Sequence, residues 1–136
     1  MKLFLLTILI FASTSFAAET KVSPTSKDQL SAQFDSYLKQ KSKEIDGDVE
    51  KDVLNFAKLK LSEVSDLDLV KNVLLTLVKL DETDPSRTTT MMLASSYSQN
   101  KKLFQKAFVS IKTKENKATV EEIEKLMADF STSGNG

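Results

Sequence analysis

The stretch from Leu67 to Leu80 constrains this chain more than any other. Apolar side chains stand at positions 67, 69, 70, 73, 74, 75, 77, 78 and 80. At about 100° per residue these cover more than half of a helix circumference and leave Asp68, Lys71, Asn72, Thr76 and Lys79 for the remainder. A helix apolar on most sides is stable in water only when other helices surround it, so this run reads as the centre of a bundle. Ser65-Asp66-Leu67-Asp68, just ahead of it, has the form of a capping box and marks where the helix should begin.

The helices needed to surround it are legible on both sides, with helical rather than alternating spacing. Leu30, Phe34, Tyr37, Leu38 and Ile45 share one face of a first helix expected from about Asp28 to Glu44, with Ser26 or Thr25 as its cap. Val53, Leu54, Phe56, Ala57 and Leu61 mark a second, from Val49 to Leu61. Asp84-Pro85 should open a fourth, Asp84 capping and Pro85 in the first turn, where no amide donor is missed. Thr88-Thr89-Thr90 is a poor helix former, so that start must be held by its neighbours. Met91, Met92, Leu93 and Tyr97 follow as inward residues, and SSYSQN at 95–100 either breaks or bends the helix. Leu103, Phe104, Ala107, Phe108 and Ile111 define a further segment. Thr119-Val120-Glu121-Glu122 is a second capping box, followed by a stripe of Val120, Ile123, Leu126, Met127 and Phe130. The expected fold class is all-α: a compact bundle of five to six short, mainly antiparallel helices over residues 28–130.

The ends carry a different pattern. MKLFLLTILIFASTSFA has a positive start, a short apolar run and small residues at 15 and 17, so residues 1–17 read as a cleavable signal peptide cut before Ala18. The run is too short for a membrane anchor, which needs about 20 apolar residues. No cysteine follows it, which excludes a lipid-anchored bacterial lipoprotein. The chain is therefore expected to be exported, to the periplasm of a Gram-negative bacterium or otherwise outside the cell. Residues 18–27 read as a flexible polar arm and 131–136 as a disordered tail. No disulfide can form without cysteine, so apolar packing alone must hold the exported fold. Removing residues 1–17 leaves 18 basic against 19 acidic side chains, a balance without general attraction to nucleic acid.

EIDGDVEKD, residues 44–52, raises the question of a calcium loop. Counted from Gly47 as the sixth position, the first ligand would be Ser42 and the twelfth Val53, where Asp and a bidentate Glu are needed. The stretch reads better as the end of one helix at Gly47 and the start of another capped by Asp48, with one bent helix as the alternative. Neither histidine nor cysteine is present, which removes thiol nucleophiles, imidazole bases, and the usual zinc and haem ligands. Ser36–Lys39 and Ser98–Lys101 have the Ser-x-x-Lys spacing without the companion elements of penicillin-binding enzymes. Glu121-Glu122 and Asp81-Glu82 are paired carboxylates at a helix start and a turn, where solvation or capping is their ordinary role. Met91, Met92 and Met127 without histidine read as core rather than copper ligands. No catalytic residue, metal or cofactor is therefore expected.

One segment stands out by charge. Lys101, Lys102, Lys106, Lys112, Lys114 and Lys117 face Glu115 alone between residues 98 and 118. They are the candidate contact residues for an anionic partner, such as a phosphorylated lipid, a wall polymer or an acidic protein face. The expected function is non-catalytic: an exported helical protein acting through contacts with an unknown protein or envelope component. A carrier of a small apolar ligand or lipid between helices is the second expectation, and a carboxylate-dependent enzyme the third. Neither nucleic acid nor a membrane span after signal cleavage is expected.

Overall fold

A computed structural model describes the backbone of residues 26–45, 48–62 and 64–135. The expected signal peptide, most of the polar arm and Gly47 lie outside the described residues. Among those residues there are α-helices and turns and no strands. The helices are α1 (Lys27–Lys39), α2 (Asp48–Ala57), α3 (Leu67–Asp81), α4 (Thr88–Met91), α5 (Ala94–Gln99), α6 (Lys101–Ile111) and α7 (Lys117–Asn135), with a 3₁₀ turn at Ser42–Glu44. α4 and α5 are two pieces of one interrupted helix. Met92 and Leu93 donate to the carbonyls three residues back, Thr89 and Thr90, before Tyr97 returns to the four-residue spacing onto Leu93. Counted that way, the described residues form an all-helical bundle of six helices.

α3 sits at the centre, packed most heavily on α1 and α6 and also touching α7. Its Leu69, Val70, Val73, Leu74 and Leu77 are buried, as the wide apolar face requires. Thr76, expected on the polar remainder, is buried as well. Its hydroxyl donates to the Asn72 carbonyl at 2.7 Å, which satisfies the hydroxyl and makes the burial tolerable. Edge-to-face aromatic contacts run through the middle, from Tyr37 to Phe34, Phe34 to Phe56, Phe56 to Phe104 and Phe104 to Tyr97, with centroids 5.8–6.5 Å apart. One cluster thus joins α1, α2, α5 and α6 around α3.

Two polar contacts fix how α1 lies on α3. Lys27, at the start of α1, donates to Asp66, the N-cap residue of α3, at 2.8 Å. Lys79, near the end of α3, donates to the Leu38 carbonyl at the end of α1 at 2.7 Å. The two helices therefore run in the same direction, with α2 lying between them in the chain. A lysine on the last carbonyls of α1 also meets the negative end of that helix.

Several boundaries differ from the sequence expectation. α1 ends at Lys39, where Gln40 turns to extended geometry, and α2 begins at Asp48, so the chain from 40 to 48 joins two separate helices. The single bent helix is not formed. α2 stops at Ala57, short of Leu61. Ser26 is the cap of α1, accepting from the Gln29 amide at 3.2 Å. The capping box at 65–68 is not made. The Asp66 carboxylate, itself buried, instead reaches back to the Ser62 amide at 2.6 Å and to Lys27 at 2.8 Å.

Asp84 does not cap α4. It accepts from the Ser86 amide and hydroxyl in a tight turn, and Arg87 precedes the helix at φ 58°. α7 starts at Lys117 rather than Thr119. Thr113 and Asn116 exchange side-chain-to-amide bonds of 2.6 and 3.2 Å that shape the turn entering it. α7 also runs on to Asn135, past the expected end at Phe130. In that extension the Ser131 and Thr132 hydroxyls both donate to the Ala128 carbonyl. Leu54 and Phe130 remain exposed.

Candidate functional site

α6 divides its eleven residues between core and water. Leu103, Phe104, Ala107, Phe108 and Ile111 are buried, and this sets the rotation of the helix. At about 100° per residue, Lys102, Gln105, Lys106 and Val109 then fall within an arc of about 100° pointing away from the core. Lys101 lies to one side of the arc and Ser110 to the other. All six are exposed. Val109 is 73% exposed although it is apolar. Leu67, the first residue of α3 and half-buried, meets this strip, and together they line a shallow depression of about 550 Å³.

The structure divides the six candidate lysines into two groups. Lys101, Lys102 and Lys106 stand on the outer side of α6, and none has a carboxylate partner among the described residues. Lys112, Lys114 and Lys117 belong to the turn after α6 and the start of α7. Lys102 and Lys112 are separated by about 15 Å along the helix, at 1.5 Å per residue. Lys112 is half-buried, 3.9 Å from Glu121, while Lys114 and Lys117 are exposed near the positive end of α7. The six thus do not form one patch. Among the described residues only Lys112 of the six is paired with a carboxylate, and the α6 group is the one joined to apolar surface. Gln105, Val109 and Ser110 were not singled out from sequence, and Leu67 was read there only as part of the central apolar helix. Val109 carries a readable signal, since it is an apolar residue opposite the buried positions of its own helix.

The carboxylates weighed for acid–base chemistry are engaged elsewhere. Asp81 accepts from Arg87 Nε at 2.6 Å and Nη2 at 3.1 Å, and Glu122 accepts from the other arm of the same guanidinium at 2.7 Å. Those partners push the Arg87 guanidinium further above its already high value, the Asp81 hydrogen bond first and the Glu122 bond second. Glu82 accepts from the Ser42 hydroxyl, and Glu121 faces Lys112. Asp52, from the acidic stretch, turns into the core and accepts from the Tyr37 hydroxyl at 2.5 Å. Burial pushes the Asp66 carboxyl up, but the Lys27 and Ser62 hydrogen bonds and the Lys27 charge outweigh it and hold the group below its ordinary value. Met127 is buried in the core, apart from Met91 and Met92, which are half-buried beside a groove running to Phe130.

No helix among the described residues is long and apolar enough to cross a membrane. No family model, no curated protein and no solved structure matches this chain.

Proposed function

We propose that this chain is an exported, non-catalytic protein that works by contact with a protein or envelope component, through the outer face of α6. The carrying observation is the trio Lys101, Lys102 and Lys106, exposed and without counter-charges among the described residues, of which Lys102 and Lys106 line a depression with the apolar Val109 and Leu67. The export part of the reading is supported by the signal-like residues 1–17. The non-catalytic part is supported by the engagement of Asp52, Asp66, Asp81 and Glu122 in bonds that join one helix to another. A contact role is favoured over a carrier role because interlocked rings occupy the centre of the bundle, the place where an apolar ligand would need a cavity.

The test uses the mature chain and its K101E/K102E/K106E form, incubated with the envelope and exported-protein fractions of the source cell. The mature chain should associate in a salt-sensitive way and the charge-reversed form should not. Equal association by both forms refutes the assignment to α6. A specific turnover by the purified mature chain refutes the non-catalytic reading.

A further inference from the structure

Resting on that contact reading, we propose that the partner of α6 is an acidic, helical protein segment carrying one aliphatic side chain, which seats beside Val109 and Leu67. Three observations bear on the class of partner. Charge comes first: the outward arc of α6 holds lysines with no carboxylate against them, which selects an anionic partner. Spacing follows. Lys102 and Lys106 are four residues apart, about 6 Å along the axis, and Val109 is three residues further. A second helix laid along α6 repeats that interval with two carboxylates one turn apart and an aliphatic residue in the next turn. The kind of apolar surface completes the case. A helix that lies in a lipid interface inserts aromatic and leucine side chains. On α6 the large ones, Leu103, Phe104 and Phe108, are all buried, and the outward arc offers only Val109. That is too little to insert into acyl chains, but it suits one side chain resting in a shallow depression.

The placement of these charges also works against the helix that carries them. Lys101 and Lys102 occupy the first turn of α6, the positive end of its dipole. Lys102 and Lys106 form a like-charge pair at the i, i+4 spacing, which weakens a helix by a few tenths of a kcal/mol. Stability of the free chain does not account for such a pattern, whereas an acidic partner does.

The experiment follows backbone amide signals of the ¹⁵N-labelled mature chain. The first probe is a synthetic alanine-based helical peptide with two glutamates four residues apart and a leucine three residues on. Two control peptides replace glutamate by glutamine and leucine by serine. The last probe is vesicles of phosphatidylglycerol and phosphatidylcholine. The glutamate–leucine peptide should shift the amides of residues 102–110 and of Leu67, and each control peptide should bind about tenfold more weakly. K102E/K106E, with unchanged circular dichroism, should lose the shifts. Binding to vesicles but not to the peptide overturns the protein-segment proposal and leaves the contact reading standing. Equal binding of all three peptides, or no shift on α6 with any probe, also overturns the proposal. The contact reading itself fails only through the envelope-association test above.

Discussion

Phe104→Ala is the sharpest test of how this fold is held together. Phe104 is fully buried on α6 and touches Phe56 of α2 edge-on at 6.5 Å and Tyr97 of α5 at 5.9 Å. Truncating a core phenylalanine to alanine costs about 3–5 kcal/mol through lost transfer energy and the cavity left behind. Each aromatic pair contributes a further ~0.5–1.5 kcal/mol beyond buried area, so two of them place the expected loss near the top of that range. Domains of this size have total stabilities of about 5–15 kcal/mol, and without cysteine no disulfide limits the damage. The loss should appear as a fall in melting temperature of about 15–40 °C, at about 4–8 °C per kcal/mol for a domain near 100 residues. Urea unfolding followed by circular dichroism at 222 nm measures it directly. Val109→Ala on the same helix, 73% exposed, should change stability by less than about 0.5 kcal/mol. A Phe104→Ala cost below about 1.5 kcal/mol, or a cost equal to that of Val109→Ala, would refute the packing argument.

Four other outcomes follow from particular contacts. Asp66 has a lowered pKa in the folded chain, so its stabilising contribution is complete above the ordinary Asp range near ~3.9 and is lost as pH falls through the folded value; urea midpoints should drop on acidification more for the parent than for Asp66→Asn. Asn116→Ala removes the bonds to the Thr113 amide and the Ile111 carbonyl and should cost about 0.5–2 kcal/mol by the same unfolding assay. Arg87 sits at φ 58°, so Arg87→Gly should be less destabilising than Arg87→Ala by about 1 kcal/mol, both losing the Asp81 and Glu122 bonds. Lys102→Glu removes a like-charge pair and places an acid in the first turn of α6, so it should raise the unfolding free energy measured in urea by about 0.3–1 kcal/mol, while weakening the contacts proposed for that face.

The apolar spacing carried most of the fold, and the termini of helices carried the errors. Leu103, Phe104, Ala107, Phe108 and Ile111 were readable as one face because large apolar side chains have no other stable place to go. The central position of α3 was readable for the same reason, from the width of its apolar face. Caps were not. Asp66 and Asp84 each offer a side chain that suits a cap, yet both found donors outside the helix they precede: Lys27 and Ser62 for one, Ser86 for the other. Which donor a short polar side chain takes depends on what the folded chain brings beside it. Lys27 is 39 residues from Asp66, beyond any local window. The Tyr37–Asp52 bond was hidden for the same reason, since an acid closing an acidic stretch, next to Lys51, reads as solvent-facing until its hydroxyl partner is placed. For the candidate site, charge counting along residues 98–118 joined two lysine groups that the structure divides between α6 and the turn leading into α7.

That separation shows where selection on the core ends. The buried aromatic residues determine the rotation of α6, and the rotation determines which positions reach water, but nothing in the core dictates what stands there. Glutamate at 102 would pair with Lys106 and favour the helix start, and a polar residue at 109 would avoid exposed apolar surface. The chain carries lysine and valine instead, on the face that α6 turns away from the bundle. Under the contact reading proposed above, these outward residues answer to a partner rather than to the fold, and that proposal has its physical content in the difference between what α6 would prefer alone and what it presents.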